Sequence, residues 1–250
     1  MNKTKLLISA VLPMLSLTVA AQDDNTPVKG DFTVAATVGY NSYTNVNALP
    51  GNLTDYEAIA PNSLWNQKKL MVGFEAGYFV SDKWKLNLGG GLNFNHHPGY
   101  PDVPGTIDDI TGDDTLGEIP NYRAVASQYS CTWNAYTGVD RYFSISGISN
   151  LMWYTGVRVG MAYALNEQKY DEWTSMGKSV GETWSLRGSL TIGFDYYVLP
   201  AMFVGFSVDP FAYAYNMTTH KPQEGLKSLE ADSHDYSILA APTLKIGFKF

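Results

Sequence analysis

The amino-acid sequence predicts an all-β protein, an eight-stranded antiparallel up-and-down transmembrane β-barrel. Three observations carry that expectation. Apolar and polar residues alternate with a period of two in eight separate segments. The connections between the segments alternate between short and long. The pattern runs to the last residue, Phe250, with bulky apolar side chains on one face and glycine and charge on the other.

The first strand is expected over about 32–41, with Phe32, Val34, Ala36, Val38 and Tyr40 on its apolar face. The second, about 69–80, places Leu70, Val72, Phe74, Ala76, Tyr78 and Val80 there. The third, about 84–95, offers Trp84, Leu86, Leu88, Leu92 and Phe94, and the fourth, about 124–143, offers Val125, Tyr129, Cys131, Trp133, Ala135 and Val139. The fifth runs from Leu151 through Trp153, Val157, Val159, Met161 and Tyr163 to Leu165. The sixth runs from Trp184 through Leu186, Leu190, Ile192, Phe194 and Tyr196 to Val198. In the seventh, Met202, Val204, Phe206 and Val208 are in phase until Pro210, after which Phe211, Tyr213 and Tyr215 fall on the other phase. A proline removes a ladder donor, so a bulge with a change of phase is expected there. The eighth strand alternates from Tyr236 through Ile238, Ala240, Pro242, Leu244, Ile246 and Phe248 to Phe250.

Ahead of these strands, Lys3 and Lys5 precede an apolar run from Leu6 to Val19 and the small residues Ala20 and Ala21. This reads as a secretory signal over 1–21, leaving 22–250 as a single barrel domain. Without Lys3 and Lys5 the 17 basic and 24 acidic side chains become 15 and 24, an acidic balance that argues against a nucleic-acid partner. The single Cys131 cannot form an internal disulfide. No stretch of eighteen apolar residues follows the signal, so spanning helices are excluded while alternating strands are not.

Short connections are expected at 81–83, 144–150 and 199–201, and long polar ones at 42–68, 96–123, 166–182 and 218–235. In an up-and-down barrel this places the short turns and both termini on the periplasmic side. The alternative, a soluble barrel with its apolar face inside, fits the polar face poorly. Gly39, Gly73, Gly77, Gly89, Gly91, Gly138, Gly156, Gly160, Gly193, Gly205 and Gly247 lie there among charges. Such glycines weaken a water-facing strand, but in a narrow lumen each leaves room for an opposing side chain. The same face carries Glu75, Asp140, Asp195 and Asp209 against Lys85, Arg158, Arg187 and Lys245, expected as a paired network that fills the lumen rather than an ion path. The aromatics fall into two girdles, Tyr78, Trp84, Trp153, Tyr196, Phe248 and Phe250 at one level and Tyr40, Phe94, Tyr163, Trp184 and Tyr236 at the other. Trp184 and Tyr196 lie twelve residues apart, roughly 30 Å along the normal of a tilted strand. Trp133 is expected nearer mid-height, away from either girdle.

With its signal, alternating strands and closing aromatics, the chain resembles the small OmpA/OmpX-type family of outer-membrane barrels. The resemblance implies residence in the cell outer membrane amid lipid and lipopolysaccharide. It also implies insertion by the barrel-assembly machinery through a closing-strand signal at Phe248 and Phe250. The sequence departs from that signal at Lys245, where a glycine is common, and a peptidoglycan-binding domain, which some members of the family carry, is not expected here. No cofactor is implied.

Three further features bear on function. His96, His97, His220 and His234 are expected in or beside the long connections, and His234 with Ser233 or Ser237 is the candidate pair for a lipid A-modifying enzyme. Their spacing does not reproduce the His-Ser and carboxylate arrangement of lipid A deacylases. Asp108, Asp109, Asp113, Asp114 and Glu118 could hold a hard cation, although a solvated acidic loop is the simpler reading. Tyr43, Tyr56, Trp65, Tyr100, Tyr122, Tyr170 and Trp173 suit contact with an extracellular glycan or protein, or packing on one another. The expected role is therefore structural or surface recognition, with a narrow pore for ions or small apolar solutes and a lipid A-modifying enzyme as alternatives.

Overall fold

The computed structural model describes residues 26–40, 70–105, 122, 124–170 and 177–250. The proposed signal, the first long connection, the acidic run 108–118 and Trp173 lie outside the described residues. Eight antiparallel strands form a closed barrel in chain order. They are β1 (Phe32–Tyr40), β2 (Leu70–Ser81), β3 (Trp84–His97), β4 (Ser127–Ile145), β5 (Ile148–Lys169), β6 (Lys178–Leu199), β7 (Met202–Lys221) and β8 (Leu229–Lys249). Closure is made by β1 against β8, from Thr33 opposite Lys249 to Gly39 opposite Thr243. Phe250 lies just past β8, yet its N–H donates to the Phe32 carbonyl at 2.8 Å and its own carbonyl accepts from Phe32 N–H at 3.0 Å.

The faces are disposed as the alternation requires. Val72, Phe74, Leu88, Leu92, Val157, Val159, Leu186, Leu244 and Ile246 project outward. Thr33, Glu75, Lys85, Asn87, Asp140, Thr191, Asp195 and Lys245 are buried inside. A soluble barrel would show the reverse.

Three tight turns join the strands at one end: Asp82-Lys83, Ser146-Gly147 and Pro200-Ala201. The middle one is shorter than the sequence suggests, because Gly147 takes a φ of +92° that closes a two-residue hairpin without a steric penalty.

At the opposite end two of the four long connections are largely strand. Residues 166–169 and 178–182 belong to the β5–β6 ladder, and 218–220 with 229–235 to the β7–β8 ladder. The connections between these strands are therefore shorter than the sequence suggests. These stretches are polar on both faces, so alternation vanishes from the sequence although the backbone still pairs. His96 and His97 likewise belong to β3, opposite Tyr129 and Gln128. Above them Tyr100 bridges Val125 and Val103 bridges Tyr122.

The bulge expected at Pro210 is present. Leu190 pairs with Phe211 but Ile192 pairs with Val208, so Asp209 and Pro210 together oppose Thr191. Outward phase passes from Phe206 to Phe211, and Asp209 turns inward. The eighth strand departs from the uninterrupted alternation read in the sequence. Leu239 and Ala241 adopt φ of 55° and 50°, Ala241 is buried and Leu239 exposed. The register shifts where Ser207 pairs with Thr243 and Asp209 with Ala240. Local left-handed residues and Pro242, which lacks a donor, absorb the offset.

Trp133 also differs from expectation. It lies opposite Tyr163 in register, and its ring centroid is 5.8 Å from that of Trp184 and 6.2 Å from that of Tyr163. It is therefore part of the girdle at the long-connection end. Position along a single strand misplaces it because strand tilt shifts equivalent heights from one strand to the next.

Candidate functional site

Among the described residues, titratable groups converge in number in the interior. Alternation on β2, β3, β4, β5, β6 and β8 turns Glu75, Lys85, Asp140, Arg158, Asp195 and Lys245 inward, each at most about one-tenth exposed. Glu75 is the hub. Its Oε1 lies 3.2 Å from Lys85 Nζ and 3.3 Å from Lys245 Nζ, and its Oε2 lies 3.3 Å from Arg158 Nη2. Arg158 also reaches Asp140 at 3.5 Å, and Lys245 reaches Asp195 at 3.3 Å. Three carboxylates thus balance three cations, which is the condition for charges to persist away from water.

Tyrosines complete the cluster. Tyr142 donates to Asp195 at 2.6 Å and accepts from Lys85 at 3.2 Å, while Tyr136 donates to Glu75 at 3.0 Å. Lys245 lies 4.6 Å from the ring centroid of Tyr154. Glycine makes the room. A Cβ on Gly77 would strike Lys85, one on Gly89 would strike Tyr136, one on Gly156 Asp140 and one on Gly193 Tyr154.

Arg187 and Asp209 stand apart from the six. Their side chains pair at 2.7 Å, and Thr191 donates to Asp209 at 2.8 Å. The bulge at Pro210 is what delivers Asp209 to this pair. All eight charges singled out from the sequence therefore face inward, as one cluster of six and one pair. Beyond the cluster, toward the long connections, the lumen opens into a hollow lined by Thr37, Met71, Asn134, Ser207, Asp209 and Thr243.

Sequence reasoning missed the other end of the lumen. Phe79, Tyr142, Tyr154, Tyr197 and Phe203 are all buried there, with Tyr142 stacked on Tyr154 at 4.9 Å and Tyr197 packed on Phe203 at 5.6 Å. The available signal is a run of adjacent bulky pairs beside the tight turns: Tyr78-Phe79, Tyr142-Phe143, Trp153-Tyr154, Tyr196-Tyr197 and Met202-Phe203. Where both phases are bulky, both faces are apolar. Below this layer Lys249 Nζ lies 3.6 Å from Asp31 and donates to the Thr26 carbonyl at 3.0 Å.

The loop candidates are dispersed. His234 is in β8 and its Nδ1 lies 2.8 Å from the Tyr213 hydroxyl, whereas Ser233 accepts from Asn216 at 3.2 Å. Ser233 and Ser237 are at odd positions of the strand and His234 at an even one, so alternation directs them to opposite faces. The structure brings His234 to tyrosines, not to serine. Tyr100 and Tyr122 are exposed while Tyr170 is buried. At the closing strand Phe248 faces outward opposite Val34 and Met202.

The interior is a neutral, hydrogen-bonded filling across the barrel, and its chemistry is the fixing of charge. Residues 58–250 match the model of the OmpA-OmpF-like porin family. No curated protein matches the chain. Among solved structures, the outer membrane protein OprG from Pseudomonas aeruginosa is similar at 14% identity and a TM-score of 0.47, over 91% of this chain and 99% of that one. The N-terminal β-barrel domain of Pseudomonas aeruginosa OprF gives 13% and 0.37, over 90% and 100% of the two chains. The solution structure of OprH from P. aeruginosa gives 16% and 0.30, over 88% and 99%.

Proposed function

From the premise that the chain belongs to the OmpA-OmpF-like porin family and is an outer-membrane β-barrel, we propose that it is a closed structural barrel. In this reading it serves surface recognition through its long-connection end. Residues 22–250 form the mature domain after removal of 1–21. The tight turns and both termini face the periplasm, and Phe248 and Phe250 serve as the signal read by the barrel-assembly machinery. Lipid and lipopolysaccharide surround the barrel, and an extracellular glycan or protein is its ligand.

The observation that carries the closed reading is the Glu75 cluster. Eight strands leave an interior just wide enough for side chains, and here three carboxylates and three cations occupy it in mutual contact. The β5–β6 and β7–β8 ladders favour recognition, since they stand beyond the Trp133-Tyr163-Trp184 girdle as ordered platforms.

The test has two arms. Refolded barrel in planar bilayers is expected to show no steady conductance at any voltage, and a reproducible conductance would favour the narrow-pore alternative. A glycan and extracellular-protein binding screen is expected to return a ligand whose binding is lost on deletion of residues 100–120. An altered lipid A mass profile in cells carrying the gene would favour the enzyme instead.

A further inference from the structure

We propose that Arg141 and the rings around it form a headgroup site for one anionic phospholipid, of the phosphatidylglycerol type, at the tight-turn rim. Arg141 shares the outward phase of β4 with Val139 and Phe143, and it is exposed. Its Cζ lies 5.6 Å from the ring centroid of Trp84, its register partner on β3, and 5.1 Å from that of Phe143. Phe143 is itself stacked on Trp153 at 4.3 Å and 15°, so the platform is braced from the far side. Thr155, the register partner on β5, is exposed on the same face.

Arg141 differs from the inward arginines in one respect. Arg158 and Arg187 each meet carboxylates, whereas among the described residues none lies within ion-pair distance of Arg141. The neighbouring turn adds a second cation. Lys83 is exposed and its carbonyl accepts the Tyr142 N–H at 2.7 Å, holding the turn against β4. Asp82, in the same turn, accepts the backbone N–H of Lys29 at 2.8 Å.

An arginine on the lipid face is costly at the midplane of a barrel and nearly free of cost near the interface. Trp84 and Trp153 mark the interface, so Arg141 lies where lipid phosphates are. Both rings lie within cation–π distance of the guanidinium, and among the described residues no hydrogen bond takes up its N–H groups, whose planar fork matches two phosphate oxygens. A headgroup carrying a phosphodiester without its own ammonium leaves that charge available to the guanidinium, which is why an anionic phospholipid is favoured over a zwitterionic one. Assignment to a phospholipid leaflet rests on the proposed periplasmic placement of the tight turns.

The experiment uses the full mature barrel, refolded in detergent and titrated with phosphatidylglycerol or phosphatidylcholine, with native mass spectrometry reading the single-lipid adduct. Wild type is expected to prefer phosphatidylglycerol by about tenfold, the ratio that about 1.4 kcal/mol gives. Arg141→Gln should abolish the preference while the barrel still shifts on heating in gels. Should that variant fail to fold, Arg141→Lys keeps the charge without the fork and should still lower the preference measurably. Equal binding of the two lipids by wild type, or an unchanged preference in the folded variants, would overturn the site. Trypsin on intact cells reports the placement separately: cleavage at Lys83 would overturn the leaflet assignment, and equal binding of the two lipids by wild type with Lys83 protected would overturn the lipid site alone.

Discussion

At Glu75 one carboxylate answers three cations, and among the described residues Lys85 has no other carboxylate within ion-pair distance, its Nζ donating besides to the Tyr142 hydroxyl. Neutralising Glu75 therefore strands charge inside the barrel. Removing one partner of a buried network costs about 3–5 kcal/mol, so Glu75→Gln is expected to lower the urea midpoint of the folded barrel by that order. Adding Lys85→Met should recover part of the loss, because the four remaining charges pair off as Arg158 with Asp140 and Lys245 with Asp195. A double variant no more stable than the single one would mean that charge balance is not what holds the cluster. Space acts at the same scale. A Cβ on Gly193 would meet the Tyr154 ring and the Phe206 carbonyl, whereas one on Gly188 would meet nothing within 4 Å. Gly193→Ala should cost about 1–3 kcal/mol, and Gly188→Ala, on the outer face of the same strand, should stay within about 0.5 kcal/mol. Equal effects in urea titrations would refute the view that lumen glycines are sized to their neighbours.

Among the elements, β7 shows how a single residue sets the phase of half a strand. Asp209 and Pro210 jointly face Thr191, and above them Phe211 and Met217 are exposed while Ala212 and Asn216 are buried. Deleting Pro210 removes the extra residue, and a one-residue slip turns every side chain beyond it to the other face. The deletion variant is expected to give no heat-modifiable band, because either Phe211 and Tyr213 enter the lumen or Val204 and Phe206 do. Pro210→Ala keeps the residue count and should fold. The bulge in β7 was legible because a proline stands where the period breaks. Its counterpart in β8 was not, since Leu239 and Ala241 carry no glycine to announce a positive φ and the even positions stay apolar across it. The tall ladders escaped for a related reason: Glu167, Lys178 and Glu182 sit on strands whose two faces are both polar, and period-two reasoning needs one face to be greasy.

For the molecule as a whole, the sequence tells which charges point inward but not which of them meet. Glu75 on β2 finds Arg158 on β5 and Lys245 on β8, residues brought together across a closed cylinder by tilt and stagger that no single strand encodes. The inner aromatic layer was hidden in the same way, because Phe79 or Tyr197 beside an outward tyrosine reads as a continuous apolar run. What the closed cylinder does separate is scaffold from display. Thr218 and Ala231 are register partners one step beyond Met217, which itself faces Trp184 of the girdle. Joining Thr218 to Ala231 through Asn-Gly, with residues 219–230 removed, supplies the two-residue turn that antiparallel strands favour. It leaves the Glu75 cluster, the girdles and the β1–β8 seam untouched. The shortened barrel is expected to insert, to shift on heating in gels and to keep the wild-type urea midpoint, while losing affinity for a ligand that the β7–β8 platform holds. Loss of folding would show that the ladder is part of the scaffold, and full retention of binding would move recognition to the other connections.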